Sequence, residues 1–159
     1  GQLDRGWDVA LVTDAGTPAL SDPGEALVAA AIAAGHDVVP IPGAAAAVSA
    51  LVASGLPTRE FTFVGFVPKK SGARRTLLRD LLASGRTAVL YESPYRLDDL
   101  LADLAAVEPR ARVAVARELT KVHEEIVRGD AAELAARYAS ARPKGEITVV
   151  IAPPRDGER

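Results

Sequence analysis

The sequence predicts an α/β protein of two lobes, and three observations carry that expectation. Short apolar runs alternate along the chain with longer stretches of helical period, the pattern of strands and covering helices. Hydrophobic residues make up 48% of the 159, but aromatics only 4%, so the core is expected to be Ala- and Leu-rich helices laid on a sheet. A chain of this length suits one domain or two small lobes.

The first element is a helical turn ending near Gly6. Residues 9–12 (VALV) follow without polar interruption and read as a strand covered on both faces, as in parallel sheets. Asp14 then stands at its carboxyl end, the edge at which open α/β sheets bind ligands. The loop that follows is about twice the usual ~2–6 residues of such a connection. Thr17-Pro18 and Asp22-Pro23 keep it from joining either neighbour, because the residue before proline avoids helix and proline has no N–H. It reads as a fixed polar loop. Residues 25–34 place Leu27, Val28, Ala31 and Ile32 on a helical stripe, with Gly35 as cap. A strand over 37–41 would complete a parallel, right-handed crossover. Pro42-Gly43 leads into an alanine-rich helix ended by Gly55 and Pro57. Small residues at its start let a flat ligand approach the backbone, and a plain core helix is equally compatible.

Residues 57–60 read as a linker, dividing a lobe over 1–57 from a lobe over 58–159. The second lobe is expected to hold strands over 61–67, 87–91, 112–116, 125–127 and 147–152, and helices over 73–83, 94–106 and 131–141. Ser93-Pro94 reads as an N-cap followed by proline at the first helical position, and Asp130 with Glu133 as a capping box. The connection into residues 125–127 is too short for a helical crossover, so the sheet is expected to be mixed.

Composition removes several chemistries. The chain has no cysteine, and its two histidines, His36 and His123, are far apart, so thiolate catalysis is excluded and a metal site is not expected. Neither G-x-G-x-x-G nor G-x-x-x-x-G-K-[ST] occurs. Net charge is −2, so a polyanion could be held only by a local basic patch. Lys69, Lys70, Arg74 and Arg75 are the candidate patch. The two arginines fall in the first turn of a helix, where each cation opposes the dipole by ~0.3–1 kcal/mol, so local stability does not explain them. A solvated basic turn is the alternative. Glu92 and Arg96 are placed at a strand end, either paired with each other or lining a site. Arg117, Glu118 and Lys121 leave another strand end, with Glu124 and Glu125 close behind.

These words also resemble a known family. DAGTPALSDPG at residues 14–24 is similar to the SDAGTP-x-x-SDPG signature of the ribosomal RNA small subunit methyltransferase I family, within the tetrapyrrole-methylase-like superfamily. PGAAAAVSAL, FTFVGFVPKKSGARR, YESPYRL, ARELTKVHEE and KGEITVVI follow in the same order, so the resemblance spans nearly the whole chain. It implies a partial parallel-sheet N-terminal lobe and a mixed-sheet C-terminal lobe, the first on the cofactor side and the second on the cofactor and substrate side. It implies S-adenosylmethionine as cofactor and methyl transfer to the 2′-hydroxyl of a cytidine in 16S rRNA of the small ribosomal subunit, by a cytoplasmic homodimer without metal or membrane. An upstream segment with a PIGNL-type loop and an EDTR-type motif is not in this sequence, so a fragment is expected.

By the same resemblance the cofactor lies against Asp14, Ala15, Gly16, Thr17, Ser21, Gly43, Ala45, Ala46, Tyr91 and Leu119. Alanine, Ala45 or Ala46, stands at a usual serine position, and Tyr95 where the family has histidine. S-adenosylmethionine carries no phosphate. Its ribose diol, adenine and sulfonium ask for carboxylates, carbonyls and small residues, which Asp14, the backbone of 15–17 and the turn at 42–46 offer. Lys69, Lys70, Arg74, Arg75 and Arg96 are the expected RNA contacts, and Glu92 and Glu118 the candidate bases. A tetrapyrrole methyltransferase, a diphthamide-type protein methyltransferase and a non-catalytic RNA-binding or self-association module remain alternatives.

Overall fold

The computed structural model describes residues 1–140 and 142–155. By its contacts the chain divides into Gly1–Ala45 and Ala46–Arg159.

In the first unit a 3₁₀ turn at Leu3–Arg5 ends on Gly6, whose φ of 80° lets its N–H close back on the Leu3 carbonyl. Helix α1, Glu25–Ala33, follows the loop and is capped by Ala34 and the left-handed Gly35. Its expected stripe buries nothing fully. Val28 and Ala31 are half-buried while Leu27 and Ile32 stay exposed, because the helix is apolar on every side. The two expected strands of this unit are corrected: neither 9–12 nor 37–41 forms one, and the parallel crossover is absent. A strand needs a ladder partner. An unbroken apolar run encodes extended, coverable chain but not the neighbour that would pair with it. Val9, Leu11, Val12, Val38, Val39 and Ile41 remain exposed.

The second unit opens with α2, Ala46–Ser54, so the division falls between Ala45 and Ala46 and not at the expected linker over 57–60. Five strands follow: β1 Phe61–Phe66, β2 Thr87–Glu92, β3 Arg112–Arg117, β4 Glu125–Asp130 and β5 Ile147–Ala152. Interleaved with them are α3 Ser71–Ala83, α4 Leu97–Val107 and α5 Ala131–Tyr138. Ala141, the expected end of the last helix, lies outside the described residues. The sheet order is β1-β2-β5-β3-β4; β1 pairs parallel to β2, and β5 runs antiparallel to both β2 and β3. The mixed sheet is therefore as expected.

Strand alternation sorts the core onto two faces. Ala88, Leu90, Val113, Val115, Ile147, Val149 and Ile151 meet α3, α4 and α5, whose Leu78, Leu97, Leu100, Leu101 and Leu104 are fully buried. Spacing of three and four puts the α4 leucines on one stripe. Truncating one, as in Leu100→Ala, is worth about 2–5 kcal/mol. On the other face Val89, Ala114, Ala116 and Val150 meet Ala47, Ala50 and Leu51 of α2. That contact is why α2 belongs with the sheet. Arg128 of β4 donates to the Ser54 and Ala53 carbonyls, satisfying the end of α2 with a cation.

Two helix starts behave differently. Asp130 and Glu133 form the full capping box. Ser93 does not cap α4: the Arg96 N–H bonds the Ser93 carbonyl in a turn, Arg96 sits at φ −130°, and the helix starts at Leu97.

A buried charge cluster ties α3 to α4. Arg74 donates to Asp103 Oδ2 from Nε at 2.7 Å, and Arg75 and Ser71 bond Oδ1 at 2.6 and 2.8 Å. Arg74 also donates to the Pro68 and Lys69 carbonyls. Burial alone would raise the Asp103 pKa, but the hydrogen bonds from Arg75, Ser71 and Arg74 outweigh it and hold the carboxyl below its ordinary 3.8. A lowered carboxylate contributes stability above the unfolded value that is lost as pH falls through the folded one. Denaturant titrations from about pH 6 to about pH 2 should show stability falling below about pH 4, with that share of the fall absent in Asp103→Asn. Arg74→Met should cost about 3–5 kcal/mol at neutral pH, because the buried carboxylate loses its partner.

Candidate functional site

In the first unit the proline-bounded loop is held at both ends. The Thr13 hydroxyl donates to Asp22 Oδ2 at 2.6 Å across the loop base. The Thr17 hydroxyl donates to the Ala44 carbonyl at 2.9 Å, so the loop does meet the 42–46 turn. Between them the backbone is left-handed at Gly16, Ala19 and Ser21, with φ of 75°, 66° and 61°. For Ala19 and Ser21 that costs roughly 1–2 kcal/mol each, strain of the kind that clusters at functional loops. Gly24, at φ 139°, begins α1 where a Cβ would lie 2.7 Å from the Leu11 side chain. Asp14, Ala15, Gly16, Thr17 and Gly43 are exposed and Ala45 is half-buried, leaving a carboxylate and bare main chain open to a ligand.

In the second unit the register gathers another set of residues. Glu92, Ile147, Arg117 and Glu125 lie in one row across β2, β5, β3 and β4. Since β1, β2 and β3 run the same way, this edge holds their carboxyl ends, with Phe66 beside Tyr91. Tyr91 meets Phe63 and Phe66 edge-on, with ring centres 5.1 and 6.0 Å apart, and packs beside the α2 cluster. Ala46 opens α2. The Glu92 side chain is fully buried; its Oε1 takes the Ser93 N–H at 2.6 Å and Arg96 at 2.5 Å. Its Oε2 is buried with no hydrogen-bond partner. Of the two expected outcomes, the structure gives the Glu92–Arg96 pair, with one oxygen left over.

Glu118 is committed elsewhere. Its Oε1 accepts from the Glu146 N–H at 2.8 Å and from Lys121 Nζ at 3.1 Å, and Lys121 also reaches Glu146. These contacts, the Glu146 N–H first, hold its carboxyl below the usual value. Its partners make it an acceptor rather than a proton carrier. Leu119, between left-handed Glu118 and Thr120, is half-buried against the α2 cluster.

The basic patch is corrected in part. Arg74 is buried inside the α3–α4 cluster and unavailable to a polyanion. Arg75 is half-exposed but bonded to Asp103, while Lys69 and Lys70 are exposed. Phe66 and Tyr95 are exposed at the same carboxyl edge. What the sequence reading missed is Asp103 as the arginines' partner. Its signal was a carboxylate inside the apolar stripe of Leu100, Leu101 and Leu104. Among the described residues no group of His, Asp or Glu is arranged to hold a metal, and no helix is long and apolar enough to cross a membrane.

The model of the family described as Tetrapyrrole (Corrin/Porphyrin) Methylases matches residues 2–135. The chain belongs to that family. Among similar curated proteins, the ribosomal RNA small subunit methyltransferase I of Micromonospora olivasterospora is 49% identical, over 96% of this chain and 49% of its own length. The protein of the same name from Mycobacterium tuberculosis (strain ATCC 25618 / H37Rv) is 51% identical, over 94% and 53%. The chain spans about half the length of the curated relatives it matches. Among solved structures, the methyltransferase CobJ superposes with a TM-score of 0.62 at 22% identity, over 87% of this chain and 62% of that one. A uroporphyrin-III C-methyl transferase from Thermus thermophilus complexed with S-adenyl homocysteine gives 0.56 at 22%, over 85% and 62%. These two likenesses are of fold.

Thr17 tests the loop directly. Thr17→Val removes the bond to Ala44 and should loosen the loop by about 0.5–1.5 kcal/mol, read as faster amide exchange over 14–21 with exchange in β2 and β5 unchanged.

Proposed function

We propose that this chain carries S-adenosylmethionine-dependent methyl transfer to the 2′-hydroxyl of a cytidine in 16S rRNA, working in the cytoplasm on the small ribosomal subunit as a homodimer. One observation carries the proposal: relatives 49% and 51% identical over nearly all of this chain bear the name ribosomal RNA small subunit methyltransferase I. The nucleotide and the 2′-oxygen come from the resemblance of the motifs.

The residues present fit the cofactor. The exposed Asp14 carboxylate suits a ribose diol, and the bare main chain at Ala15 and Gly16, with Thr17 bonded to Ala44, suits a flat uncharged ring. Ser21, Gly43 and Ala45 are the further contacts proposed in the first unit, and Ala46, Tyr91 and Leu119 those proposed in the second. When bound, S-adenosylmethionine supplies a methyl group activated by its sulfonium. The chain's own task is to hold a ribose hydroxyl in line and accept its proton. Both named bases take their hydrogen bonds on Oε1; Glu92 is the better of the two, since its Oε2 is buried without a partner, whereas the Glu146 N–H and Lys121 hold the Glu118 carboxyl below its ordinary value and make it the weaker base. Lys69 and Lys70 would grip phosphates, and Phe66 or Tyr95 would stack on a splayed base.

Labelled methyl transfer to 30S subunits, followed by nucleoside digestion, should place the label on 2′-O-methylcytidine. Label on an added tetrapyrrole instead, or RNA binding with no transfer, would sink the proposal. Glu92→Gln should slow transfer by about 10²–10⁴-fold if it is the base. Lys69→Glu with Lys70→Glu should raise KM for subunits about tenfold or more, as charged hydrogen bonds of about 1.5–3 kcal/mol are lost, while cofactor affinity stays the same.

A further inference from the structure

Two separate motifs, ARELTKVHEE and KGEITVVI, meet where β3 ends and β5 begins. Glu118 donates its N–H to the Glu146 carbonyl at 3.0 Å and accepts the Glu146 N–H on its side chain. One residue earlier, Arg117 donates to the Lys144 carbonyl at 3.3 Å. Lys121 then bridges the carboxylates of Glu118 and Glu146 at 3.1 and 3.0 Å. Thr120 donates its N–H to Glu124 Oε2 at 2.6 Å. Gly145, at φ 97°, leaves the room this requires, since a Cβ there would lie 2.3 Å from the Glu118 carboxyl carbon. Left-handed residues flank Leu119, with φ of 51° at Glu118 and 66° at Thr120. Two non-glycine residues of this kind so close together, Glu118 and Thr120 on either side of Leu119, persist only where surrounding contacts dictate them.

We propose that Glu118 is a positioning residue. Clasped by Glu146 and Lys121 over Gly145, it holds the Leu119 main chain in a fixed turn that presents its peptide groups to the nucleoside half of the cofactor. This rests on the cofactor reading above. The hydrophobic side of the turn is set by Leu119 against the α2 cluster, and the polar side by the clasp, so the peptide groups between are held from both directions. The Glu146 N–H and Lys121 hold the Glu118 carboxyl below its ordinary value, which favours the ionised form that the clasp requires.

The test uses Gly145→Ala, Glu118→Ala and Glu118→Gln in the same chain, with S-adenosylhomocysteine as the titrated probe. Gly145→Ala and Glu118→Ala should each weaken binding about tenfold, or about 1.4 kcal/mol, and speed exchange of the Thr120 and Lys121 amides. The melting temperature should move by no more than about 4 °C. Glu118→Gln keeps an acceptor for the Glu146 N–H and should recover most of the affinity. Unchanged affinity or unchanged exchange in Gly145→Ala would overturn the positioning role. So would a Glu118→Gln chain that binds the probe normally and transfers no methyl group, for that would make Glu118 the base. Absence of binding by the unaltered chain is a different failure, which brings down the cofactor reading and the positioning role with it.

Discussion

The second unit depends on one constraint: β2, β3 and β5 must fill both sides of the sheet at once. Strand alternation sends valine, leucine and isoleucine to the face covered by α3, α4 and α5, and mostly alanine and valine to the face covered by α2. The difference in side-chain size sets how closely each layer approaches. Ala114 and Ala116 against Ala47 and Ala50 bring a helix backbone near the sheet, while the leucines of α4 hold a thicker layer on the other side. Everything at the carboxyl edge, from Tyr91 to Leu119, is hung on strands placed by that packing.

Charge performs two distinct jobs in this unit. In the α3–α4 cluster the carboxylate of Asp103 is surrounded by two guanidiniums and a hydroxyl, and the group is structural despite standing in a basic motif. At the carboxyl edge Glu92 and Glu118 each take a main-chain N–H and a cation on Oε1 alone, so a carboxylate there keeps its second oxygen. The same residue type thus serves as a rivet in one place and keeps a spare oxygen in another, decided by how many donors surround it.

The second unit was largely legible in the sequence, and the first much less so. Apolar runs located all five described strands, and residues 128–130 of β4 were missed because Arg128 and Gly129 interrupt the run. Pairing supplied there what hydropathy did not. Residues 9–12 and 37–41 show the converse: their hydropathy asks for a covered strand, but hydropathy names no partner. Proline spacing did identify the loop over 14–24 as fixed, and the Thr17–Ala44 bond bears that out. The left-handed turns at Ala19, Ser21, Glu118 and Thr120 carried no signal, since none of them is the glycine or asparagine that usually marks such a position. Arg74 and Lys69 look alike as letters. Only the position of Asp103 two helices' width away in sequence separates the buried one from the exposed one.

Strand β5 comes last in sequence among the described strands and lies in the middle of the sheet, between β2 and β3. β2 is paired with β1 and β3 with β4, but neither has its second neighbour until residues 147–152 arrive, so during synthesis the two strand pairs wait with an open slot between them. The second unit therefore closes only after residues 147–152 have been made, and until then β2 and β3 each present an unpaired edge to whatever is nearby.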